Sequence, residues 1–82
     1  MNLNQWHIFC TVAEEKSLTK AAKKLHLSQP AVSGQVKGME SAYNLCLLER
    51  TNQGVELTTA GEVAYRYAKQ LMHIHADMKQ AL

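Results

Sequence analysis

Eighty-two residues make one domain at most, with room for a single small core and little stability to spare. Apolar residues form 46% of the chain, which argues against wholesale disorder, and no run approaches the roughly 18 apolar residues that a membrane span needs. The formal charge of +2 is mild, yet five lysines (Lys16, Lys20, Lys23, Lys24, Lys37) and no acid lie between Lys16 and Met39, a candidate electrostatic footprint for a polyanion.

In the first segment Leu3, Trp6, Phe9, Cys10, Val12 and Ala13 recur at helical steps of three and four. Asn2 or Asn4 can cap the start, and the helix ends near "EEKS", where Ser17 offers an N-cap for the next. The second helix, "LTKAAKKL", is short; it buries Ala21, Ala22 and Leu25 and turns its lysines outward. Its adjacent alanines predict a close helix–helix approach. "HLS" follows as a three-residue turn, and Ser28 is the next N-cap. Pro30 falls in the first turn of the third helix, where a missing N–H costs nothing. That helix runs to about Tyr43 with Val32, Val36, Met39 and Tyr43 on one side, and Asn44 tolerates the left-handed conformation that ends it.

Two short apolar runs flank "RTNQG" and predict a small hairpin with glycine at its tip. A fourth helix begins at "TTAGE", capped by Thr58, or by Thr59 with Glu62 as a capping box, and shows no breaker through Leu82. Ala60, Ala64, Tyr67, Leu71, Ile74, Met78 and Ala81 follow a 4-3 step along it, an a/d seam. Three preceding helices cannot cover a helix about 37 Å long. The seam therefore predicts a partner helix, most simply from a second copy, with Ala64, Tyr67, Leu71, Ile74 and Met78 at a dimer interface. The alternative is an amphipathic helix folding back on its own domain, where its first turns pack in either case.

The third helix poses the functional question. Opposite its valines lie Pro30, Ser33, Gly34, Lys37 and Ser41, with Gln29 at the exposed tip. Bulk is small there and acids are absent. Such a face suits insertion into a DNA major groove, between two phosphate walls. Helix, short turn, helix is the arrangement in which the second helix reads the groove.

Other chemistries find less support. Cys10 and Cys46 stand far apart among apolar neighbours and read as small buried hydrophobes. His73 and His75 point about 200° apart on a helix and cannot share a metal ion; His7 and His26 stand alone. No nucleophile has a base and an orienter beside it, and Glu14 and Glu15 sit at an exposed helix end. No cofactor, metal or catalysis is expected. With no basic-then-apolar leader, the expected location is cytoplasmic.

"FCTVAEEKSLTKAAKKLHLSQPAVSGQVKGME" followed by "LLERTNQGVELTTAGE" resembles the N-terminal DNA-binding domain of LysR-type transcriptional regulators. The most specific pieces are "AAKKLHLSQPAVS", "LER" and "LTTAG", in that order. The resemblance implies a mainly α winged helix-turn-helix: a three-helix core, a small β-hairpin wing at 47–57, and a long dimerising linker helix at 58–82. Residues 1–57 would then bind DNA, with 18–25 as the positioning helix and 29–43 as the recognition helix. Ser17 and Thr19 would touch phosphate, while Gln29, Pro30, Ser33 and Gly34 approach bases or nearby backbone. Arg50, Asn52 and Gln53 would reach phosphate or the minor groove. Lys20, Ser28 and Lys37 complete the candidate set, with Lys16, Lys20, Lys37 and Arg50 supplying backbone affinity.

Three positions depart from the family pattern: Gly34 where a basic or larger residue is common, Leu48 for phenylalanine, and Asn44 for glycine. Gly34 alone touches specificity, because it removes a potential base or phosphate contact. The resemblance also implies a C-terminal domain, outside these residues, that senses a small-molecule effector. Rival readings are a winged-helix module that docks proteins without DNA, and a non-specific architectural DNA binder.

Overall fold

The computed structural model describes residues 2–82. Its order is α1 (Leu3–Glu15), α2 (Leu18–Leu25), α3 (Gln29–Tyr43), β1 (Leu48–Thr51), β2 (Gly54–Leu57) and α4 (Thr59–Ala81). The expected three helices, hairpin and long last helix are all present.

Short polar side chains set the helix boundaries. Asn2 caps α1 in a reciprocal box with Gln5. The hydroxyl of Ser17 accepts from Lys20 N–H at 3.1 Å, and that of Ser28 from Ala31 N–H at 3.2 Å. Lys16, His26 and Asn44 each end a helix in the left-handed region, so two of the three stops use residues that the sequence does not advertise. Thr58 caps α4 without the Glu62 box. Its hydroxyl accepts from Gly61 N–H at 3.0 Å and donates to the Cys46 carbonyl at 2.6 Å, tying α4 to the segment before β1.

Two adjoining clusters form the core. Ile8 and Val12 of α1, Ala21 and Ala22 of α2, Val32 and Val36 of α3, and Val55 of β2 make one. Phe9, Cys10, Met39, Leu47 and Ala68 make the other. The two alanines of α2 permit the expected close helix approach. Ala68 and Gly61 are the buried residues of α4, so its first turns enter the core while residues beyond Ala68 run clear of it.

The hairpin has the register Leu48↔Leu57, Glu49↔Glu56, Arg50↔Val55, Thr51↔Gly54. Asn52 and Gln53 form the tip, and Gly54 opens β2 rather than capping the turn as expected. Its φ of +133° and its position explain the glycine: a Cβ there would sit 2.2 Å from the Lys16 carbonyl oxygen. The next amide, Val55 N–H, donates to that same carbonyl at 3.2 Å.

Three further expectations change. Cys46 is exposed, because it lies in the irregular link after α3 and its carbonyl, not its thiol, is used. Tyr43 is half exposed; the last turn of α3 overhangs the core, and the ring rests 6.0 Å from Trp6. Gln29 is partly buried rather than at an exposed tip.

Candidate nucleic-acid interface

α3 buries Val32, Val36 and Met39 and leaves Pro30, Gly34, Lys37 and Ser41 exposed, with Ser33 partly buried. An added Cβ at Gly34 or Gly38 would meet nothing within 4 Å, so neither glycine is required by contacts within the chain. The outward surface of this helix is low.

Arg50 joins that surface through strand periodicity. Alternate residues of a strand share a face, so Arg50 lies on the side of β1 that carries Leu48, and its cross-strand partner is the buried Val55. Ser33, Lys37 and Arg50 consequently line one cleft of about 140 Å³ between α3 and the hairpin. Asn52 and Gln53 project at the hairpin end, exposed, with Gln53 N–H held by Thr51 Oγ1 at 3.2 Å.

Ser17 and Ser28 stand at the N-termini of α2 and α3. Each hydroxyl accepts from the backbone, and its own O–H remains a donor that can turn outward. Thr19 and Lys20 are exposed on the first turn of α2. At helix N-termini, free N–H groups and the helix dipole favour an anion.

Charge follows the same division. Among the described residues, Lys24 pairs with Glu15 at 3.3 Å and Lys69 with Glu14 at 2.9 Å, whereas Lys16, Lys20, Lys37 and Arg50 enter no ion pair. Their charge is not spent within the chain. Acids do approach the cleft: Glu40 and Glu49 help to line it. Glu40 is turned inward onto backbone amides, a role invisible in the sequence except that it is the sole acid of α3.

The expected seam on α4 divides in two. Ala60 and Ala64 pack partly against the cluster of Phe9, Met39 and Leu47. Tyr67, Leu71, Ile74 and Met78 are exposed, Ile74 to 65%. Ala64 also lines an apolar groove with Trp6, Tyr43, Leu45 and Val63 that continues this strip. The first turns of α4 pack on their own chain as expected, through a neighbouring seam of Gly61, Tyr65 and Ala68 that the a/d pattern does not single out.

His73 Nε2 lies 3.5 Å from Asp77 Oδ2 on an exposed surface. Among the described residues no three His, Cys, Asp or Glu side chains converge as a metal site. No helix there is long and apolar enough to cross a membrane.

Known proteins share this arrangement. The model of the bacterial regulatory helix-turn-helix protein, lysR family, matches residues 3–62. The HTH-type transcriptional regulator ClcR of Pseudomonas putida is 40% identical over 90% of this chain and 25% of its own length. The RuBisCO operon transcriptional regulator of Allochromatium vinosum is 40% identical over 100% of this chain and 27% of its own. The chain thus spans about a quarter of the length of these curated relatives. Among solved structures, the CbnR_DBD-DNA complex superposes with a TM-score of 0.92 at 33% identity, covering 99% of this chain and 93% of that one. The BenM_DBD/catB site 1 DNA complex gives 0.93 at 38% identity, covering 98% and 86%. With a family model matching most of its residues and its whole fold shared with these relatives, the chain belongs to the lysR family of bacterial regulatory helix-turn-helix proteins.

Proposed function

We propose that this chain binds duplex DNA in a sequence-specific manner as part of a transcriptional regulator. α3 enters the major groove, and the hairpin follows the flanking backbone or minor groove. The observation that carries this reading is the shared cleft of Ser33 and Lys37 on α3 and Arg50 on β1, beside a low helix face whose lysine has no internal partner. Ser17, Thr19, Lys20 and Ser28 approach phosphate from the two helix N-termini, and Gln29, Pro30, Ser33 and Gly34 lie nearest the base edges. Relatives that bear the name of transcriptional regulators, and structures of DNA complexes with the same fold, support it.

Residues 1–57 serve as the DNA-binding unit and 58–82 as the linker helix of a two-fold dimer. The exposed strip of Tyr67, Leu71, Ile74 and Met78, continuous with the groove at Trp6 and Val63, supports that division. Two recognition helices then meet a partly palindromic site. A small-molecule effector acts through the remainder of the regulator, and the location is cytoplasmic.

Selection of bound duplexes from a random pool, followed by binding isotherms from about 50 to about 200 mM salt, tests the reading. Affinity should fall with a log–log slope of about −0.9 per neutralised phosphate, and the selected site should beat unrelated duplex by at least ~10³-fold. Salt-insensitive binding, or none, favours a protein-docking module. Equal affinity for every duplex favours an architectural binder.

A further inference from the structure

The chain leaving α3 folds around one residue. Glu40 lies near the C-terminal end of α3, and its backbone carbonyl accepts from Leu45 N–H at 3.0 Å. Its carboxylate Oε2 accepts from Leu47 N–H at 2.7 Å and from Leu48 N–H at 3.2 Å. Leu47 is held from the other side as well, since its carbonyl accepts from Thr58 N–H at 3.1 Å. Leu48 is the first residue of β1, and Arg50 follows two positions later on the same face.

A two-stranded hairpin has marginal stability by itself, so its direction depends on what anchors it. On the β2 side the anchor is the Lys16 carbonyl, which receives Val55 N–H. On the β1 side the Thr58 contacts tie the hairpin to α4, and the carboxylate of Glu40 ties it to α3. Hydrogen bonds from backbone amides to an ionised carboxylate are short and strong, and two of them to one oxygen fix a direction as well as a distance. The negative charge of Glu40 would oppose a phosphate at the cleft it lines, and its oxygen is turned instead onto the amides that begin the wing.

We propose that Glu40 is a positioning residue for DNA recognition: it sets the angle between α3 and the hairpin, and so places Arg50 and the Asn52–Gln53 tip relative to Ser33 and Lys37. This rests on the reading of α3 and the hairpin as one DNA-binding face. Without Glu40, the β1 side of the wing keeps its ties to Thr58 of the α4 cap but loses its tie to α3, and binding must fix the angle between hairpin and α3 at the moment of contact. That ordering weakens affinity without removing any DNA-touching group.

The test is a double-mutant cycle on the whole chain with its selected duplex, using E40A, E40Q, R50A and E40A/R50A. E40A should bind about tenfold more weakly, E40Q within about threefold of the parent because its amide oxygen still accepts, and the R50A loss should shrink in the E40A background. Amide exchange at Leu47 and Leu48 should rise in E40A and stay near the parent's in E40Q. Should E40A fail to fold, Glu40→Asp, which keeps the charge but is one methylene short of the two amides, takes its place. Parent-like affinity in E40A, an R50A loss of equal size in both backgrounds, or unchanged exchange at Leu47 and Leu48 would each overturn the proposal. Absence of duplex binding by the parent chain strikes the DNA reading itself, and is thereby distinct from those results.

Discussion

Glu14 of α1 and Lys69 of α4 are joined by a 2.9 Å ion pair, and the same carboxylate oxygen accepts from Tyr65 Oη at 2.7 Å. The Lys69 and Tyr65 hydrogen bonds hold the Glu14 carboxyl below its ordinary value. A carboxyl whose folded pKa is depressed stabilises the fold above its unfolded pKa, near 4.5, and loses that contribution as pH falls through the folded value. The pair is roughly half exposed, so its worth at neutral pH is below about 1 kcal/mol. Glu14→Gln should lower the melting temperature slightly at pH 7 and leave it equal to the parent's in strong acid. Melting curves that keep the same separation at both pH values would contradict this.

The two thiols should behave differently. Burial, and then the negative charge of Glu14, push the Cys10 thiol up to about 11, whereas Cys46 is exposed. The thiolate is the reactive form. A disulfide reagent at mildly alkaline pH should therefore modify one thiol per folded chain quickly, and the second only on unfolding. Cys46→Ser should abolish the fast phase; a fast phase that survives would show that Cys10 is accessible.

Glycine substitutions should separate by environment. Gly54→Ala forces a Cβ against the Lys16 carbonyl at an unfavourable φ and should cost at least about 2 kcal/mol. Gly61→Ala should be similarly harmful, since its Cβ would lie 2.0 Å from the Leu47 carbonyl oxygen. Gly38→Ala meets open space in a helix interior and should stabilise by about 0.5–1 kcal/mol. Urea titrations that rank the three otherwise would refute the packing described.

Lys37→Ala should weaken duplex binding at all sequences and reduce the magnitude of the salt slope by about one. Gln80→Glu, in the last turn of α4, should alter neither. Equal effects from the two changes would place the nucleic acid away from α3.

If the proposed dimer forms through α4, Ile74→Glu should convert it to a monomer in sedimentation experiments, because the change sets a charge in the middle of the exposed apolar strip. Binding to a two-half-site duplex should then fall to that of a single half-site. A variant that still sediments as a dimer would remove α4 as the interface.

Local physics made much of this legible. Ser17 and Ser28 accept from the N–H groups three residues ahead, and Asn44 ends α3, as their side-chain chemistry predicts. The burial of Val32, Val36 and Met39 follows from helical spacing, and with it the low face that points the other way. Each of these depends on residues within about one turn of one another, so the order of amino acids is sufficient.

What failed depends on approach from elsewhere. The exposure of Cys46 and Tyr43 reflects where the core ends. The grip of Glu40 on Leu47 and Leu48 spans a chain reversal, and the need for glycine at 54 arises from the carbonyl of Lys16, far away in sequence. The helices, their caps, the hairpin and the bare face of α3 are settled by neighbours along the chain, and so can be read from the order of residues. How the hairpin sits against α3 emerges on folding, because that angle is fixed by contacts between segments whose meeting no local pattern records.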